Sequence, residues 1–155
     1  MTDDGIERVL AKSTGEVLEQ MFFVRALNEP NPSPPATESQ LVAEVSFEGQ
    51  PSGRLGLRVN AAAARSIAAD FLGEDECSLS EGQVGEVICE LANIICGSVL
   101  SSVESETTFR LKSPRLLSMP EEFAAEGAVV HSVTLDRGVL GVAFSAEKPI
   151  CPLAV

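Results

Sequence analysis

The chain has 155 residues, the size of one domain with one real core, and 45% of it is hydrophobic against 22% charged. Its 23 acids outnumber 11 Lys and Arg for a formal charge of −12, which repels phosphate backbones and anionic lipid and argues against nucleic acid or an acidic membrane as a partner. The start, MTDDGIERVL, puts two acids where a secretion signal has a basic end, and the longest uncharged, largely apolar run, Leu91 to Val103, is too short to span a bilayer, so the expected location is cytoplasmic.

The first element is a helix. Ile6, Val9, Leu10, Val17, Leu18, Met21 and Phe22 recur at the three-four rhythm of one helical face, and Asp3 or Asp4 can cap its start. Residues 28–39, NEPNPSPPATES, hold four prolines and read as a loop. A hairpin follows. LVAEVSFEG puts Leu41, Ala43, Val45 and Phe47 on one side, and GRLGLRVN answers with Leu55, Leu57 and Val59, with GQPSG as the turn.

Asn60 can cap a second helix, AAAARSIAADFL, which should stop at Gly73. SEGQ then spells a capping box: Ser80 accepts from the third helical amide and Gln83 reaches back, with Leu79 and Val84 placed as a hydrophobic staple. The third helix should start near Glu81 and run to about Val103. TTFRLK alternates as a strand that Pro114 ends, and AVVHSVTL, DRG and VLGVAFS form a second hairpin. The tail KPICPLAV has no clear secondary structure. Residues 1–155 therefore read as a single two-layer α/β (α+β) domain, a largely antiparallel sheet packed by long helices.

Cys77, Cys89, Cys96 and Cys151 form no CxxC pair, and Cys89 and Cys96, about 10 Å apart along a helix, are too far apart to bridge. They read as small buried thiols, and His131, in a strand pattern, as a packed or edge histidine. No zinc or haem spacing is present.

The third helix carries the unusual pattern. At about 100° per residue, Val84, Ile88, Leu91, Ala92, Ile95 and Val99 make a core face, while Glu86, Glu90, Asn93 and Gly97 share the opposite arc. No basic residue occurs from Gln83 to Val103, unlike an ordinary solvated face. Gly97 costs a helix about 1 kcal/mol relative to alanine, which makes sense where another backbone must come close. Spacing alone leaves three readings: a passive outer face, a site, or a two-carboxylate metal site that lacks a His or further acid.

Glu90-Leu91-Ala92-Asn93, then Gly97, then Pro114 after twenty intervening residues, resembles the signature of the CheC/CheX/FliY chemotaxis phosphatases, and most closely the CheX type with one ExxN unit. The resemblance covers roughly Val42 to Ser145, including the FEGQPSGRLGLRVNAAAARSIAADFLGED approach to the motif. Two features depart from the family pattern: Glu86 stands where Asp or Ser is usual, and the interval to Pro114 is slightly short. Helix 1 offers Glu16 and Glu19 without a matching Asn, so one site per chain is expected.

The resemblance implies a CheC-like fold and an aspartyl-phosphate phosphatase whose substrate is a phosphorylated CheY-like receiver. Asn93 would hold the attacking water and Glu90 would pair with the receiver's lysine, as the catalytic pair. Glu86, Gly97 and Pro114 would contact the partner. No cofactor would be bound by this chain, since the receiver brings its own Mg²⁺, and the protein would be a homodimer. The competing implication is a non-catalytic dimerisation module that binds a receiver or a flagellar switch protein.

Overall fold

Alternating apolar residues and helical stripes need a common partner surface, and here the sheet supplies it. The structure, a computed structural model, describes residues 3–24, 39–103, 108–117, 123–124 and 127–148. Its elements are α1 (Asp3–Met21), β1 (Gln40–Glu48), β2 (Gly53–Asn60), α2 (Ala61–Leu72), α3 (Glu81–Ser101), β3 (Arg110–Leu111), β4 (Arg115–Leu116), β5 (Val129–Leu135) and β6 (Gly138–Ala146). The side chains of Asp3 and Asp4, residues 28–38 of the proline-rich segment and Cys151 with its tail lie outside the described residues.

The sheet order is β3-β1-β2-β6-β5, with β4 also on β1, and every described pairing is antiparallel. The strand period of two sends Ala43, Val45, Phe47, Leu55, Leu57, Val59, Leu140, Val142 and Phe144 into the main core under the helices. Phe47 stacks on Phe144 and meets Phe109 edge-on, each with ring centroids 5.6 Å apart. The other sheet face is mixed. Glu44 is buried there between Arg54 and Arg115, and Phe123 lies across Gly56 and Gly141 with the Arg58 guanidinium 4.5 Å from its ring centre. A Cβ on Gly56 would fall 2.3 Å from the Phe123 carbonyl oxygen, so only glycine admits this close crossing.

Most local expectations hold, and five need correction. In α1, Ile6, Leu10, Val17 and Leu18 are buried, but Met21 at the last turn is exposed because the core contact passes to Phe22, a buried residue just past the helix that stacks on Phe71 of α2 at 4.4 Å. Asn60 stands at the N-cap of α2 but its side chain makes no cap bond. Its amide donates to the Arg137 carbonyl (3.0 Å) and its Oδ1 accepts from the Val139 amide (3.2 Å), joining β2 to the β5–β6 turn. Gly73 does end α2 in the left-handed region, φ 68°. Cys77 is exposed rather than buried, because it lies in the 3₁₀ turn Glu76–Ser78.

The fourth correction concerns the strand expected over 107–112. Among its described residues only Arg110–Leu111 form ladder pairs, with the Lys112 amide donating to the Ser46 carbonyl at 2.8 Å, and pairing with β1 resumes beyond Pro114 as β4. Leu111 faces Phe47 and Leu116 faces Ala43, a register offset of one residue that makes residues 112–114 a bulge in one edge strand. Proline is tolerated in a strand at such a position. Lastly, α3, 21 residues long, contains an 18-residue window with the mean hydropathy of a membrane span, 1.5, but 56% of that window is buried in this domain.

Candidate functional site

The helix that carries the polar row is held at its start. Ser80 Oγ accepts from the Gln83 amide at 3.1 Å and Gln83 Oε1 accepts from the Ser80 amide at 2.8 Å, the full capping box. Leu79 and Val84 are both buried beside it. Arg65 of α2 adds a clamp, donating to the carbonyls of Glu76 (2.8 Å) and Leu79 (2.9 Å) and to Glu81 Oε1 (2.7 Å). The position and rotation of α3 are thereby fixed from outside the row itself.

That rotation puts Val84, Ile88, Leu91, Ala92, Ile95 and Val99 in the core, with Val87, Cys96 and Leu100 also buried. Glu86 and Glu90 are exposed and Asn93 is half-buried. The side chains of these three make no hydrogen bond or ion pair within the described residues. Gly97, one turn further, is half-exposed, and nothing lies within 4 Å of where its Cβ would stand. Among the described residues, then, nothing packs where the Gly97 side chain would be.

The edge strand β3–β4 runs beside the row and shapes it. One hollow, about 350 Å³, is lined by Gly82, Gly85, Glu86, Cys89, Glu90 and residues Pro114–Leu116. A second of about 350 Å³ lies past the other end of the row, against Gly97, Leu100, Phe109 and Leu111. Leu116 is seated directly on the helix: a Cβ on Gly85 would fall 2.8 Å from its Cδ1. The structure thus brings Glu86, Glu90 and Pro114 to one hollow and sets Asn93 and Gly97 along the same helix face toward the next. Gly85, Leu116, Phe109 and Leu111 were not read from sequence as site residues. Gly85 is within one turn of Glu86 and was legible as a possible close approach, whereas Leu116 depends on the bulge.

The chemistry available is limited and specific. Burial, and then the charge of Glu86, raise the Cys89 thiol above its ordinary value, so it remains protonated at neutral pH and is a poor nucleophile. Burial pushes Cys96 up to about 12. His131 is half-buried on β5, at the far edge of the sheet. Among the described residues no group of three His, Cys, Asp or Glu is placed to hold a metal ion. What remains is a carboxylate and an amide, three residues apart on a rigid helix and aimed outward together.

The family model described as Chemotaxis phosphatase CheX matches residues 41–135. No curated protein sequence matches significantly. Among solved structures, the chemotaxis protein CheX from Vibrio vulnificus superposes with a TM-score of 0.71 at 18% identity, covering 95% of this chain and 99% of that one. CheX in the CheX–CheY–BeF₃–Mg²⁺ complex from Borrelia burgdorferi gives 0.71 at 17% identity, covering 91% and 97%. CheX from Desulfovibrio desulfuricans gives 0.67 at 18%, covering 92% and 99%. These likenesses establish the fold. Since the matched region spans well over half of the sequence, this chain belongs to the CheX family of chemotaxis phosphatases.

Proposed function

We propose that this protein accelerates hydrolysis of the phospho-aspartate on a CheY-like receiver domain, with Glu90 and Asn93 inserted into the receiver's phosphorylation pocket. The observation that carries this reading is that both side chains project from α3 with no partner among the described residues. An uncommitted amide and carboxylate at helical spacing are suited to engaging groups on another molecule.

The reaction asks little covalent chemistry of this chain. Water attacks phosphorus, the bond from phosphorus to the aspartyl oxygen breaks, the aspartate leaves as its carboxylate, and the water's proton departs with inorganic phosphate. The transition state is loose, so placing the water in line supplies much of the gain. The Asn93 amide can accept from and donate to its neighbours at once, which is what holding a water requires. Glu90 pairs with the receiver's lysine and fixes the depth of insertion. The receiver supplies Mg²⁺, which neutralises the phosphoryl oxygens. Glu86 and Pro114 border the inserted edge, and the open space at Gly97 receives the receiver's backbone. The setting is cytoplasmic, and the protein works as a homodimer.

The test is decay of a phosphorylated CheY-type receiver from the same genome, with and without this protein. Asn93→Ala should lower the stimulated rate on the order of 100-fold while binding persists. Glu90→Ala should also raise KM, by about tenfold. Wild-type rates in both variants would remove the site assignment. Binding of the receiver without faster decay would make the protein a non-catalytic docking module.

A further inference from the structure

The polar row and the strand beside it carry opposite charges. Residues 81–101 contain Glu81, Glu86 and Glu90 and no Lys or Arg, while residues 108–117 contain Arg110, Lys112 and Arg115 and no Asp or Glu, in a chain whose 23 acids meet only 11 Lys and Arg. Leu111, opposite Phe47, and Leu116, opposite Ala43, point to the helices, so Arg110, opposite Glu48, and Arg115, opposite Glu44, stand on the other face of the sheet at this margin, and Lys112 pairs with Glu48 there. There Lys112 is 3.1 Å from Glu48 and 58% exposed, and Arg115 is 3.1 Å from Glu44 and 68% exposed. Arg110 is exposed and pairs with no acid among the described residues. The Lys112–Glu48 pair is exposed at both ends and holds its members weakly, so Lys112 joins Arg110 in being available to a partner, whereas Arg115 is kept by the buried Glu44.

We propose that this edge strand is the electrostatic dock for the partner's acidic rim, and that Arg110 and Lys112 set which receivers bind. The inference rests on the phosphatase reading and names the surface that reading needs. An anionic chain gains nothing from its net charge in meeting an acidic partner. A phosphorylated receiver pocket has mixed charge: a lysine lies among the carboxylates that hold Mg²⁺, beside the phosphoryl group. A carboxylate row flanked by a cationic strand is its complement, with Glu90 facing the lysine and the edge facing the carboxylates around it. Such rim charges govern encounter rate and partner choice more than the chemical step.

The experiment uses the full chain with Arg110→Glu and Lys112→Glu together. At low ionic strength, KM for the phosphorylated receiver should rise by about tenfold, with kcat at saturation within about twofold of wild type. The gap should close toward 1 M salt, where the screening length falls to about 3 Å. The charge-conserving pair Arg110→Lys and Lys112→Arg should behave as wild type, and the neutral Gln pair should fall between. An unchanged KM and salt dependence in the Glu pair, or a fall in kcat alone, overturns the proposal. Affinity for the receiver loaded with Mg²⁺ and beryllofluoride separates the two ideas. If wild type binds this complex yet does not speed decay, the phosphatase reading fails, and the edge is judged by whether the Glu pair weakens binding. If wild type does not bind it, the edge proposal fails too.

Discussion

Gly97 lies well inside α3, where glycine gives up roughly 1 kcal/mol against alanine, and no described residue outside the helix's own backbone crowds the position of a Cβ. The helix accepts this loss at the position one turn beyond Asn93. Gly97→Ala should therefore stabilise the fold by about 0.5–1 kcal/mol in chemical denaturation. Gly97→Phe should melt close to wild type and yet raise KM for the phosphorylated receiver by about tenfold, because its ring would fill the space the partner's backbone is to occupy. Tight receiver binding by the Phe variant would show that this space is not part of the dock. Glu44 poses the opposite case: a buried carboxylate is tolerable only because Arg54 and Arg115 both reach it.

Elements whose causes are local were legible in the sequence, and those whose causes are distant were not. The start of α3 could be read because Ser80 and Gln83 satisfy each other across three residues. The direction of Glu90 and Asn93 could be read because helical angle is a local property and the core face was written in Ile88, Leu91 and Ile95. Asn60 misled because two demands compete for one amide. The local rule offers it to α2, but the β5–β6 turn, 77 residues on, presents a carbonyl and an N–H that would otherwise lack this partner. Asn60→Ala should thus destabilise the protein by about 1–3 kcal/mol, through the turn rather than the helix. Asn60→Asp, which would set a buried carboxylate against the Arg137 carbonyl, should destabilise at least as much as Asn60→Ala in the same denaturation series. Equal stability of wild type and Asn60→Ala would show that the turn does not rely on these bonds. The edge strand was harder still. TTFRLK alternates well enough for a continuous strand, and nothing in it reveals that pairing stops after Leu111 and resumes at Arg115.

At the scale of the whole molecule, the helices cover one sheet face and the two sheet edges are unalike. β5 ends the sheet with no strand on its outer side among the described residues, and Val130 on it is 44% exposed. An open strand of this kind is a template for another chain, and the proposed homodimer would pair there. Sedimentation velocity over a concentration series should show a dimer, and a monomer at every concentration would remove that assignment. The opposite margin cannot serve the same purpose. Its one-residue offset interrupts the ladder, Pro114 offers no amide hydrogen, and lysine and arginine side chains stand along it. A second copy is thus discouraged from zipping onto the flank that carries Glu90, so the proposed dimer contact and the proposed receiver contact would fall on separate sides of one small body.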